Sequence, residues 1–235
     1  MKRWPAALVL AFGITIGAGG ARTAVAATSS HAPHCAADAS PGHTRRHLPD
    51  AEIFVTNNTA IISDPHDPRL ADRLLGFACE VRTIVRASGA DPEKSSLLDG
   101  VFWSSDLQAA TYERSREFDV DDIDAARLRL VADGLRTRYR QESVLTFEYL
   151  PSTSARADAI EVEVPGVSAQ RLHDGLVADP EARDRLFGGS VTVRGGKLIL
   201  VADRADATLV RAFVGTLGGD WSKANVHYGD REFVG

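Results

Sequence analysis

The segment TYERSREFDV, residues 111–120, separates two kinds of chemistry by alternation. Successive side chains of an extended chain point to opposite faces. Tyr112, Arg114, Arg116 and Phe118 therefore share one face, and Glu113, Ser115 and Glu117 the other. Guanidinium forks match a carboxylate or phosphate bidentately. Glu113 or Glu117 would serve as an acid or base if burial raised its pKa. Glu148 in SVLTFEYL and His227 in ANVHYGDREFV lie on strands that would close the same pocket, with His227 alternating with Asn225. Phe102, Trp103 and Tyr112 suit either a pocket wall or a core. The competing reading is structural: the charges pair with neighbours such as Glu148 and with solvent, or they guard an edge strand against aggregation.

Other chemistries lack a carrier. The chain holds no G-x-S-x-G, no phosphate-cradling glycine loop, no C-x-x-C and no H-E-x-x-H, so no hydrolase elbow, nucleotide cofactor or metalloprotease helix is expected. His31, His34, Cys35, His43 and His47 are spaced too loosely for an ordered zinc site, and no metal site is expected. Asn57-Asn58-Thr59 formally matches a glycosylation acceptor.

The elements that would position these residues follow one order twice. AEIFVTNN reads as a strand, and TAIISD extends it. Leu70, Leu74, Phe77, Ala78, Val81 and Val85 recur on one helical face, and Gly89 suits the helix end. SSLLDGVFWSSD and TYERSREFDV read as strands. DDIDAARLRLVADGLRTRYRQ is helical, with acids in front and arginines behind, and SVLTFEYL closes the half. In the second half DAIEVEVP alternates strictly, with Glu161 and Glu163 on its polar face. Ser168 caps a helix, Pro180 opens a short turn, and SVTVRGGKLILVAD reads as a hairpin turning at Gly195-Gly196. Asp206 caps a further helix, and ANVHYGDREFV ends the chain as a strand with a possible break near Gly229.

Both halves thus read β-α-β-β-α-β, the split-βαβ or ferredoxin-like order. The expected fold class is α+β: tandem ferredoxin-like units, residues 51–151 and 157–235, whose sheets face each other as in a pseudo-dimeric α+β barrel. The rival is a single mixed-sheet domain without duplication. In the tandem arrangement the third strand of each unit is central. The second unit places apolar KLILVAD there and the first places charged TYERSREFDV, so those charges need partners or water.

The stretch RTRYRQESVL, residues 136–145, resembles the ending of a family of small, mostly exported bacterial domains of unknown function, in which an amphipathic helix runs into a Gln-Glu-Ser-Val-Leu strand start. YERSREFDV is similar to that family's preceding strand, with its Glu-x-Ser-basic pattern. The likeness covers about a third of residues 51–150 and none of 157–235, and the glycine-rich turn expected near the first strand is missing. It implies an exported ferredoxin-like fold and no chemistry.

The ends and the composition agree with export. Lys2 and Arg3, an apolar run and the small residues AVAA at 24–27 read as a signal peptide over residues 1–27, and residues 28–50 read as a disordered linker. The leader carries Lys2, Arg3 and Arg22 and no acid, so its removal takes the net charge from −5 to −8. So acidic a chain does not suit nucleic acid or anionic lipid. Cys35 and Cys79 are the two cysteines. Export permits a disulfide between them; a tail thiol and a separate helix thiol is the other reading. The leading functional reading is a secreted, non-catalytic binding module for a small polar or anionic ligand or an extracytoplasmic protein. The alternative is a cofactor-independent enzyme with acid–base residues between the units; a purely structural protein is the third.

Overall fold

The computed structural model describes residues 49–56, 62–70, 74–139, 145–148 and 158–233. The expected leader, most of the linker, Cys35 and the Asn57-Asn58-Thr59 triplet lie outside the described residues. The elements are β1 (Ala51–Thr56), α1 (Leu74–Ala87), β2 (Asp91–Ser104), β3 (Ala109–Asp121), α2 (Ala125–Tyr139), β4 (Leu145–Glu148), β5 (Ala159–Pro165), α3 (Ala169–Ala178), α4 (Pro180–Leu186), β6 (Gly188–Thr192), β7 (Lys197–Asp203), α5 (Ala207–Thr216) and β8 (Asn225–Phe233).

The strands form one closed antiparallel barrel in the order β1-β3-β2-β6-β7-β5-β8-β4, with β4 returning to β1. This is an α+β fold. Each half contributes a contiguous block of the sheet, β4-β1-β3-β2 and β8-β5-β7-β6. The blocks are joined by the β2–β6 ladder on one side and the β4–β8 ladder on the other. As expected, TYERSREFDV is central, paired to β1 and β2.

The helices cover the outside. Under α1 and α2 lies a core that includes Ile53, Val55, Val81, Val85, Phe118, Val120, Leu128 and Leu135. Under α3, α4 and α5 lies a larger one that includes Ile160, Val162, Val164, Leu172, Leu176, Leu198, Leu200 and Phe213. A small separate cluster, Phe54, Leu98 and Ile199 with Val201 beside it, sits on the opposite face of the same strands, inside the barrel. No helix among the described residues is long and apolar enough to cross a membrane.

Local signals explain most helix ends. Ser168 accepts from the Arg171 N–H at the start of α3, and Asp124 accepts from the Arg127 N–H at the start of α2. Arg136 and Arg138 occupy the last turn of α2. Gly89 leaves α1 at φ +83°, a backbone that glycine adopts without a Cβ penalty.

Three expectations are corrected. Residues 180–186 form a full helix rather than a turn, because Asp179 accepts from the Ala182 N–H and Pro180 takes the first helical position. Asp206 does not cap α5; its carboxylate is turned to Arg185 of α4 instead. The β6–β7 connection is a four-residue loop, Val193–Gly196, since the Thr192 side chain accepts from the Lys197 N–H and closes the loop two residues earlier than a Gly-Gly turn would. In addition, β8 runs unbroken through Gly229.

Candidate functional site

The site is built by register. Ile53 and Val55 of β1 face the helices, so the alternate residues Glu52 and Phe54 face the barrel interior. On β3 their cross-strand partners are Asp119 and Glu117. Further along β3, Ser115 stands opposite Leu98 and Glu113 opposite Gly100. From the other half, Glu161 of β5 stands between Val201 of β7 and His227 of β8, and Glu163 between Ile199 and Asn225. Both halves therefore turn a row of carboxylates inward.

Glu52, Glu117 and Asp119 bring carboxylate oxygens within 4.8 Å of one another. Glu52 also hydrogen-bonds Glu161. Strands β1 and β5 are not neighbours in the sheet, so that bond crosses the barrel. Glu161 is 0 %, Glu117 2 % and Glu52 6 % exposed. Oε2 of Glu52 and Oε2 of Glu117 are buried without a hydrogen-bond partner.

Such a setting favours protonated carboxyls. Burial pushes Glu52 well above the usual carboxylate range, and the charges of Glu161, Glu117 and Asp119 add to it, as does the bond to Glu161. Asp119 is raised to about 6, chiefly by burial and then by Glu117, while Lys94 and Lys197 pull it back. Lys94 reaches Asp119 at 3.8 Å. It comes from the irregular stretch of β2 between Pro92 and Ser95, where an extra residue re-aims the side chain. Glu113 is raised to about 7 by burial alone; the ring of Phe102 lies where a side chain on the facing Gly100 would be. His227 is lowered by burial and by Lys197. Lys197 itself is ion-paired to Glu163, which also accepts from Asn225 Nδ2 at 3.3 Å.

The residues singled out in the sequence divide between the two sides of the sheet. Glu113, Glu117 and His227 face inward. Arg116 faces the helices: its Cα partners are Val55 and Leu97, both of the α1–α2 core. It is 4 % exposed and donates from Nη1 to Ser95 Oγ at 3.1 Å. Tyr112 is also outward, stacked on His173 of α3 with ring centroids 5.6 Å apart and planes 2° from parallel. Trp103 lies under the Arg183 guanidinium, 4.4 Å from the ring centroid. Arg114 stands opposite Asp99 and Glu148 opposite Asp230 in register; the side chains of Arg114 and Glu148 lie outside the described parts. Cys79 is disulfide-bonded, and the chain's other cysteine is Cys35.

Sequence reasoning missed Glu52, Asp119 and Glu161 as site residues. The signal was present as the alternating acids Glu161 and Glu163 of AIEVEV and as the single acid, Glu52, of AEIFVT. Read strand by strand, an acidic face means solvent; only closure of the barrel turns it inward.

No protein-family model and no curated protein matches the chain. Among solved structures, a putative monooxygenase from Lactobacillus acidophilus NCFM is 11% identical over 79% of this chain and 94% of its own, with a TM-score of 0.25. An anthrone oxidase-like protein is 12% identical over 78% of this chain and 92% of its own, also with a TM-score of 0.25. Likenesses of that degree carry no argument about activity.

Proposed function

We propose that the protein is an exported binding module, built as tandem ferredoxin-like units, whose ligand sits inside the barrel and presents positive charge or hydrogen-bond donors. The observation that carries this reading is the Glu52–Glu161 hydrogen bond across the interior, beside the unpartnered oxygen of Glu117. Buried acceptors are matched by donors, and an anion would meet like charge there. The apolar patch of Phe54, Leu98, Ile199 and Val201 suits the non-polar part of a small organic ligand.

The test is native mass spectrometry of the full chain purified from the medium of its own host. A retained small molecule with amine or hydroxyl donors, lost in the Glu52→Gln, Glu161→Gln double variant, supports the reading. A retained carboxylate or phosphate ester that the double variant still holds overturns it.

A second reading, a cofactor-independent acid–base enzyme, is favoured by Glu113. A carboxyl with a pKa of about 7 both takes and gives a proton near neutral pH. If the retained molecule is turned over, Glu113→Gln abolishes turnover and leaves retention intact.

A further inference from the structure

We infer that Glu52, Glu117 and Asp119 form a binding site for a calcium-sized divalent cation inside the barrel. The inference shares one element with the binding reading above, namely that the ligand lies in the interior.

The donor set is the first argument. All three residues offer carboxylate oxygens, and neither thiol nor imidazole belongs to the trio. All-oxygen donor sets select hard cations. Ca²⁺ takes oxygens at about 2.3–2.6 Å, so its ligands stand up to about 5 Å apart, whereas Mg²⁺ at about 2.1 Å requires them within about 4 Å. Three oxygens within 4.8 Å of one another therefore fit the larger ion after a small closing of the side chains.

The second argument does not depend on clustering. Oε2 of Glu117 belongs to a residue 2 % exposed, faces the interior from β3, and has no hydrogen-bond partner; Oε2 of Glu52, 6 % exposed, is in the same position. Unsatisfied buried oxygens are destabilising unless something outside the chain meets them. A cation held by the trio would give both carboxyl groups a partner.

Access is available from one side. Asp119 is partly accessible, and the ammonium that approaches it, Lys94, is 65 % exposed at its side chain. Lys94 can swing outward into solvent as a stronger cation takes its place. The remaining coordination positions fall to water, as calcium sites commonly allow.

The experiment is calorimetric titration of the EDTA-treated full chain with CaCl₂ at about pH 8, alongside thermal denaturation with and without the ion. The expected result is one Ca²⁺ per chain, weaker binding of Mg²⁺, and a higher Tm with Ca²⁺. Glu117→Gln weakens binding about tenfold or more, Glu52→Gln acts likewise, and Glu181→Gln on the outer helix α4 changes nothing. The Tm shift of the unaltered chain reads the site even if a variant fails to fold. Absence of both heat and Tm shift at about 10 mM CaCl₂, or binding that Glu117→Gln and Glu52→Gln leave unchanged, overturns the inference. A chain that binds Ca²⁺ but retains no organic molecule from its host's medium would count against the binding module alone.

Discussion

Glu52 and Glu161 hydrogen-bond each other although their strands are not neighbours in the sheet. Two carboxyl groups can share a bond only if one of them carries a proton. In the absence of another cation, a proton therefore bridges the two halves of the barrel.

The first consequence is a stability that falls as pH rises. Glu113 and Asp119 are raised from ordinary values of 4.5 and 3.8 to about 7 and about 6, and Glu52 is raised as well. The folded chain then holds protons that the unfolded chain releases. Their contribution is complete below the ordinary values and is lost through about pH 4 to 7. Thermal denaturation without divalent ions should give a Tm lower by roughly 5 °C or more at pH 8 than at pH 5. Glu113→Gln should flatten the upper part of that slope; an unchanged slope would show that Glu113 titrates alike in both states.

Glu117→Gln should stabilise the ion-free protein at pH 8. It exchanges a carboxyl group 2 % exposed, whose Oε2 has no partner, for an uncharged amide of the same volume. The gain expected from chemical denaturation is about 1–2 kcal/mol. A loss of that size would mean that the carboxylate is held by something the amide cannot replace.

Arg116→Ala should behave as a core substitution. Its guanidinium lies on the helix side, bonded to Ser95, away from the inward carboxylates. A loss of about 2–3 kcal/mol in stability with unchanged Ca²⁺ titration is the expected pair of results. Weakened titration in a variant with intact fold would place Arg116 in the binding machinery.

Lys94→Gln should strengthen Ca²⁺ binding. The lysine stands 3.8 Å from Asp119 and competes for it. As an exposed charge it is well screened, so the gain is about two- to fivefold at low salt and fades by about 0.15 M. Calorimetry at two ionic strengths separates this from a general change in the site.

Gly188→Ala should damage the join between the halves. A Cβ there would lie 2.3 Å from the Val101 carbonyl oxygen, with φ at +154°. The position belongs to the β2–β6 ladder, paired with Phe102. The expected loss is about 2–4 kcal/mol, read as a lower denaturation midpoint.

Much of this was legible in the residues themselves. The alternation of TYERSREFDV separates Glu113 and Glu117 from Arg116 correctly, because a two-residue period needs no tertiary information. The central place of that strand followed from element order. What strand reading could not supply is which face becomes interior. Glu161 and Glu163 look like a solvated face in AIEVEVP, and Glu52 is one acid among apolar neighbours. Their meeting depends on β4 returning to β1, a contact between segments about ninety residues apart. Asp206 illustrates the converse. Its local setting suggested a helix cap, and a tertiary partner, Arg185, claimed it instead.

The two ladders that join the halves, β2–β6 and β4–β8, give every described strand of the ring a neighbour on both sides. Either half alone would present two unsatisfied borders, each a template for a strand of the same shape. The best available match is the complementary half, from the same chain or from another. At high concentration during refolding, two chains should therefore exchange halves, giving a domain-swapped dimer of two intact rings in which every carboxylate keeps its neighbours.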